Sequence, residues 1–477
     1  VKNKSKKISL FQYILTSLAV AVIAVTGTVF FYEWQLRKTP NYSFAGSQGN
    51  EFASVEQLYH LIRDNYAGEV DTQALINGAM NGMTEAIGDP YSSFMVGEEA
   101  EEFDSSISGS FGGIGASMTM KNNLPTVAEP PIKGSPAERA RLKVDDVILE
   151  VDGESTEGLS LSEVVSKVRG EKGTDVALTI SRGNDTFTLT ITRDIIPVES
   201  VTGNLDETHK TIGYVRIKSF SQTTSDEFKT IVKDLRKQGA ESFIVDVRSN
   251  PGGVLTEVEK VASMFLKDGK VIVQFEDADG QRSRTKAGKE LDDGFKVTEP
   301  AVILVNENSA SASEVLAAAL KESAGIDVIG TTTFGKGTVQ QMIPFEQAEV
   351  KLTTGKWLTP DGNWVNEKGL APTIEQKLPD FAYLTVFDTS VTYEEGMSGE
   401  AVGTIQEMLK ATGDFTGKAD QTFSSETAAA VKSFQQTHEL PVTGKVDQAT
   451  AQTLSEVLYE LILESDTQYE RAVKELT

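Results

Sequence analysis

With 70 acidic against 45 basic side chains in 477 residues, the chain carries a formal net charge of -25, which sets it against nucleic acid as a partner. It contains no cysteine, so a thiol nucleophile, a disulfide framework and a thiolate-held metal are excluded. Its three histidines, His60, His209 and His438, are too scattered to suggest a zinc site, and no metal or other cofactor is expected.

The length is enough for three domains. Residues 1–7 hold four lysines, Lys2, Lys4, Lys6 and Lys7, and read as a cytoplasmic basic segment. Residues 8–32, Ile8 to Tyr32, carry no charge and are rich in Val, Ala, Leu and Ile. That run predicts a single-pass transmembrane anchor in the cell membrane, with the lysines inside and the rest of the chain extracytoplasmic. A cleaved signal peptide is the alternative. Residues 33–50 read as a tether. In the helical region 51–104, Val55, Leu58, Leu61 and Ile62 have helical spacing, as do Leu75, Ala79, Met83 and Ile87.

Residues 105–193 read as a small β-rich domain. Ile114–Met120, Val147–Val151, Val176–Ser181 and Thr186–Thr192 are strand-like, with a helix at Leu161–Val168. Phe111-Gly112-Gly113-Ile114-Gly115-Ala116 leads into a strand, and its amides suit an anion nest. No crossover helix follows directly, which argues against a dinucleotide site.

Residues 194–380 alternate strands (Thr211–Ile217, Phe243–Val247, Lys270–Phe275, Ala301–Val305, Val328–Gly330) with helices (Ser225–Gln238, Leu255–Leu266, Ser311–Ser323). This predicts a multidomain α/β protein. Asp277–Glu299 reads as an exposed excursion. Two strand ends attract attention. Ser242–Val247 runs into Arg248-Ser249-Asn250-Pro251-Gly252-Gly253, a turn that exposes backbone amides where α/β sheets place their sites. Ala301–Val305 runs into a serine cluster at the head of a small-residue helix, with Ser309, Ser311, Ser313 and Ser323 all candidates.

A hydroxyl is a poor nucleophile until a base takes its proton, and no histidine lies near the cluster in sequence. Lys336, between Gly335 and Gly337, has no carboxylate beside it until Glu346. A lysine whose charge nothing local stabilises can serve as the base once it is buried. Gln340 is placed to orient its amine. Ser309 reads as the helix N-cap, and the amides of the first turn as oxyanion donors.

Residues 381–397 form a linker, and residues 398–458 a separate module of three helices. Within it Thr416-Gly417-Lys418-Ala419-Asp420 returns as Thr443-Gly444-Lys445-Val446-Asp447. The last segment, 459–477, reads as an acidic, solvated C-terminal helix.

Several of these segments, in this order, resemble the carboxyl-terminal processing peptidases, serine proteases with a Ser–Lys dyad and a PDZ domain. The likeness rests on Gly88-Asp89-Pro90-Tyr91, Asp246–Gly253, Ser309-Ala310-Ser311-Ala312-Ser313-Glu314, Phe334–Gln340, and Leu358–Gly362 with Gly369-Leu370-Ala371-Pro372. Thr373 departs from the acid usual after that proline. The resemblance implies a crotonase/ClpP-like protease core with an inserted PDZ-like β domain, an N-terminal helical region and a C-terminal three-helix wall-binding-like module. It implies Ser311 as nucleophile, Lys336 as general base and Gln340 as its orienting residue. The oxyanion donors would be Gly252 or Gly253, with Ala312. The PDZ groove would involve Gly113, Ile114, Gly115, Val165, Val168 and Arg169, with Val164 beside them.

The final module resembles a peptidoglycan-binding domain through Phe434-Gln435-Gln436 and Leu440–Gly444. The implied partners are unfolded or membrane-tethered proteins with apolar C-termini, peptidoglycan and a second copy of the chain in a homodimer. A non-catalytic envelope scaffold and a hydrolase of cell-wall peptides are the competing readings.

Overall fold

The computed structural model describes residues 53–345 and 348–477. Two compact units emerge. The first runs up to Val198 and takes in Phe275–Ser283 and Gly337–Trp357; the second comprises Glu199–Gln274, Arg284–Lys336 and Leu358–Thr477.

The first unit opens with helices Ala53–Asn65 and Thr72–Glu85. Asp71 caps the second by accepting the amides of Gln73 and Ala74. Of the apolar residues at helical spacing, Leu58, Leu61, Ala79 and Ile87 are exposed and Val55, Ile62, Leu75 and Met83 half-buried, with Tyr66 and Ile76 exposed beside them. The short strand Ser93–Val96 pairs antiparallel with Ala348–Leu358, which also pairs with Thr338–Phe345.

The β domain is a sheet in the order Met118–Lys121, Leu124–Val127, Val147–Val151, Asp175–Arg182, Asp185–Thr192, antiparallel throughout. Alternation along Asp175–Arg182 buries Val176, Leu178 and Ile180, and the helix Leu161–Val168 adds Val164 and Val168 to the same core. That helix starts in a reciprocal Ser160–Glu163 capping box. The run read as one strand, Ile114–Met120, is instead the start of a hairpin. It turns at Asn122-Asn123, both at left-handed φ (+53° and +60°), which asparagine tolerates.

The expected single-pass anchor needs correction. No described helix is long and apolar enough to cross a membrane. The basic segment, Ile8–Tyr32 and the tether lie outside the described residues.

The second unit is built on a six-stranded sheet in the order Val201–Leu205, Ile212–Ile217, Ser242–Asp246, Ala301–Val305, Asp327–Gly330, Ile374–Glu375. Only the first pair is antiparallel. Central strands such as Ser242–Asp246 are buried along their whole length, as expected of a parallel sheet covered on both faces. The predicted excursion at Asp277–Glu299 is partly structured. Its short helix Lys289–Asp292 ends in a buried carboxylate that accepts from Ser263 Oγ at 2.5 Å and Lys296 Nζ at 2.6 Å.

Three helices, Glu400–Ala411, Ser425–Thr437 and Gln448–Glu464, enclose their own core around Ile405, Val431, Phe434 and Leu454. The internal repeat has a structural cause. Gln406 Nε2 donates to Asp420, Thr422 and Thr427, and Gln435 Nε2 donates to Thr443, Lys445 and Thr450. Each copy is thus a loop folded around one buried glutamine amide.

The last helix, Thr467–Leu476, is not a solvated appendage. Ala472 is buried against Ile212, Ile244, Val302, Leu304 and Ile329, with Tyr469, Val473 and Leu476 packed alongside. The last helix therefore covers part of the six-stranded sheet.

Candidate active site

The turn after Ser242–Asp246 and the helix after Ala301–Val305 meet at the carboxyl ends of their strands. Asn250 anchors the first. Its side-chain amide donates to Ile217 O at 2.9 Å, its Oδ1 accepts the Gly252 amide at 2.8 Å, and its carbonyl accepts Ala310 N and Ser313 Oγ, both at 3.0 Å. Gly252, at φ +102°, lies so close to the helix head that a Cβ there would sit 2.8 Å from Ser311 Cβ and 3.0 Å from Ala312 N. The Gly253 turn bridges to Phe220 through the Gly252 carbonyl and the Val254 amide.

The structure separates the four candidate serines. Ser309 Oγ donates to Val247 O at 2.8 Å and accepts the Asn306 amide at 3.0 Å; Ser313 Oγ is bound to Asn250 O and Ser323 Oγ to Val271 O. These three are structural. The expected N-cap role of Ser309 passes to Ser311, which is half-buried at the head of helix Ala312–Ala318. Ser311 has φ +55° and ψ -114°, a conformation that costs a non-glycine residue of the order of 1–3 kcal/mol and tends to mark functional sites.

One carboxylate joins this head to the lysine segment. Glu314 is fully buried. Its Oε2 accepts the main-chain amides of Ser311 (2.8 Å) and Lys336 (2.9 Å), and its Oε1 accepts Thr333 Oγ1 (2.5 Å) and the Gly335 amide (2.7 Å). A buried carboxylate is tolerable only when its lone pairs are filled, and here four donors fill them. Gly335 is required at φ +91°, since a Cβ would lie 2.8 Å from Gly369 N. Lys336 is half-buried, while Phe334 is exposed rather than walling in the lysine. In the sequence the available signal for Glu314 is its spacing of three from Ser311.

Gln340 lies on the strand Thr338–Phe345, at a register irregularity between Val339 and Gln340. Its Nε2 donates to Thr338 Oγ1 (2.9 Å) and Thr353 Oγ1 (3.0 Å), which fixes the amide so that its carbonyl oxygen remains the acceptor end.

In the β domain, Gly113 ends a strand paired with Asp194–Pro197, and Ile114 is in the core. Val168 is buried in that core, whereas Val165 is half-exposed. Arg169 stacks its guanidinium over Phe111 at 4.7 Å. Arg193 escaped sequence reasoning. It closes the helix Leu161–Val168 by donating to the carbonyls of Lys167 and Val168.

A PDZ unit followed by an α/β core, with a strained serine at a strand-to-helix junction facing a glycine turn, defines a peptidase of the serine class. Comparison with known sequences agrees. "Peptidase family S41" matches residues 211–376, "PDZ domain" 127–182, "Putative peptidoglycan binding domain" 398–454 and "Activating protease CtpB N-terminal domain" 31–99. The chain is 39% identical to carboxy-terminal processing protease CtpA of Bacillus subtilis (strain 168), over 96% of this chain and 97% of that protein. It is 36% identical to CtpB of the same organism, over 88% of each. Among solved structures it is similar to the photosystem II D1 C-terminal processing protease: 29% identity, 69% of this chain, 88% of that chain, TM-score 0.40. The chain belongs to the carboxy-terminal processing proteases of peptidase family S41.

Proposed function

We propose that the chain is an endopeptidase that cuts proteins outside the cytoplasm with a Ser311–Lys336 dyad. The observation that carries this reading is the convergence of the Ser311 and Lys336 main chains on Glu314, with Gly252 packed against Ser311. Neutral Lys336 takes the proton from Ser311 Oγ as that oxygen attacks the scissile carbonyl. The resemblance gives Gln340 the role of orienting the lysine amine. The Ala312 amide, at the first position of its helix, and the amide of Gly253 hold the oxyanion; the Gly252 amide is engaged by Asn250 and acts by shaping the turn. The lysine then returns its proton to the leaving amine, and water hydrolyses the acyl-enzyme.

In this reading the PDZ domain receives an apolar C-terminus as an added strand. Gly113, Ile114 and Gly115 hold the carboxylate end, Val165 lines the side-chain pocket with Val168 behind it in the core, and Arg169 reports occupancy. The C-terminal module holds the enzyme at peptidoglycan, which places its substrates outside the cytoplasm. The open apolar faces of the first two helices serve a homodimer.

The test is labelling with a serine-reactive fluorophosphonate in the presence of an apolar-ended peptide. Adduct on Ser311, absent in Lys336→Ala, is the expected result. Label on another serine, or undiminished label in Lys336→Ala, overturns the dyad.

A further inference from the structure

We infer that the C-terminal helix is a working part of the catalytic centre, with Arg248 and Asp466 as positioning residues for the oxyanion turn. The inference rests on the dyad reading above. Arg248 directly precedes the Ser249–Gly253 turn. Its guanidinium is buried between two carboxylates. Nη2 donates to Asp246 Oδ2 at 2.6 Å and lies 2.7 Å from Asp466 Oδ2, while Nη1 donates to Asp466 Oδ1 at 2.7 Å and to Gln468 Oε1 at 3.1 Å. Asp246 also accepts the Arg248 amide at 2.8 Å and the Tyr214 hydroxyl at 2.7 Å. Burial works to lower the Arg248 pKa, but the charges of Asp246 and Asp466 and their hydrogen bonds outweigh it and hold it above the usual arginine range.

The side chain is thus pinned from both sides, and only one side is local. Asp246 is two residues away in the chain; Asp466 is separated from Arg248 by the whole C-terminal module. The consequence for the turn is direct. Ser249, at φ +56°, takes its amide to Asn306 Oδ1 at 2.7 Å, and its Oγ accepts from Asn306 Nδ2 at 3.0 Å. Asn306 in turn opens the loop that carries Ser311. A guanidinium released from Asp466 would pivot about Asp246 and loosen the main chain at Ser249, and with it the spacing between Gly252 and Ser311.

The module's two ends are fastened at the same place. Thr467 Oγ1 donates to Lys377 O at 2.6 Å, and Gln468 Nε2 donates to Gln376 O at 2.9 Å. The chain leaves the sheet after Ile374–Glu375 and returns to it at Asp466, so the three-helix module is an insertion in the catalytic unit rather than a tail. Gln468 takes part in both fastenings, through Oε1 to Arg248 and through Nε2 to Gln376. Force or order imposed on the module therefore reaches the residue beside the oxyanion turn.

The experiment uses the full-length chain and a chromogenic peptide. Asp466→Ala and Gln468→Ala are compared with Lys474→Ala, an exposed residue of the same helix. Expected is a fall in kcat of about tenfold for Asp466→Ala with KM within about twofold, the pattern of an interaction made only in the transition state. Asp466→Glu should recover part of the loss, Lys474→Ala should match the parent, and the rate of fluorophosphonate acylation should fall with kcat. In the background of Arg248→Lys, Asp466→Ala should have a smaller effect than alone, because the pair acts as one unit. A lower melting temperature with unchanged kcat in Asp466→Ala, or full additivity with Arg248→Lys, overturns the inference. If Asp466→Ala does not fold, Gln468→Ala carries the same test. Full turnover in Lys336→Ala instead overturns the dyad and is read separately.

Discussion

Ser311 and Lys336 donate their main-chain amides to the same oxygen atom, Glu314 Oε2, at 2.8 and 2.9 Å. The two segments that hold the proposed nucleophile and base are thereby fixed to a common point. One carboxylate thus sets the separation of the two main-chain segments. Glu314→Gln keeps the shape, but its NH2 group faces at least one main-chain amide donor whichever oxygen it replaces. Hydrogen bonds to a charged group contribute about 1.5–3 kcal/mol each to stability, so the variant should melt at a lower temperature; kcat should fall about a hundredfold, the cost of misplacing reacting groups by about 1 Å once their common anchor is weakened. Steady-state kinetics beside thermal unfolding check both.

The strain at Ser311 gives a prediction that separates function from stability. Ser311→Ala and Ser311→Gly should both abolish turnover. Only glycine relieves φ +55°, so Ser311→Gly should unfold at a higher temperature than Ser311→Ala, corresponding to roughly 1 kcal/mol. Ser309→Ala should do the reverse. It leaves the Asn306 amide without its Ser309 acceptor and takes one of two donors from the Val247 carbonyl, which keeps the Asn250 amide, at a cost of about 1–3 kcal/mol, while turnover per folded molecule stays within a few-fold. Calorimetry on the three variants, with active-site titration of Ser309→Ala, decides.

Gly252 is the test of the oxyanion turn. A methyl group there would press on Ser311 Cβ at 2.8 Å and Ala310 O at 2.9 Å. Gly252→Ala should keep a folded PDZ domain that binds peptide, yet lose about 100–1,000-fold in kcat, as expected when oxyanion donors are displaced. A change confined to KM would show that the turn acts in binding instead.

Much of this was legible in the sequence because it is local. Phe243–Val247 and Ala301–Val305 are apolar runs bounded by turn residues, and the Pro-Gly-Gly and Gly-Lys-Gly segments announce sharp turns at their ends. The parallel core followed from strand–helix alternation. What escaped depended on long-range partners. Nothing within ten residues of Asp466 suggests Arg248, and an acidic helix reads as solvated until Ala472 and Tyr469 find an apolar sheet. Ser309 and Ser311 are equivalent by composition; only the reach of Val247 O to Ser309 distinguishes them. The segments Phe275–Ser283 and Gly337–Trp357 cluster with the first unit although the chain runs through the second on either side, a grouping no linear reading supplies.

The docking of the last helix also predicts how stability varies with pH. Tyr469 Oη donates to Asp206 Oδ2 at 2.6 Å, and Tyr214 packs edge-on against it at 5.4 Å. Burial, with the neighbouring Asp206 carboxylate, raises the Tyr469 pKa above its usual value near 10. Burial, with Asp246, does the same for Tyr214. The native state thus holds these protons more tightly than the unfolded chain. The resulting stability is fully present below about pH 10 and is lost as pH rises above it, because there the unfolded chain gives up its phenolic protons first.

Asp206 has the opposite sign. Burial would raise its pKa, but the Tyr469 hydroxyl and the His209 and Thr208 amides outweigh it and hold it below the usual carboxylate range. Its contribution is present above about pH 4 and fades as pH falls through the lowered native value. Tyr469→Phe should therefore lose about 1 kcal/mol at neutral pH, the worth of one buried hydrogen bond, and show a shallower decline than the parent both above pH 10 and below pH 4. Urea unfolding at pH 3, 7 and 10.5 measures it. Parallel pH profiles for the two proteins would mean that the helix docks through apolar contact alone, with the phenol a bystander.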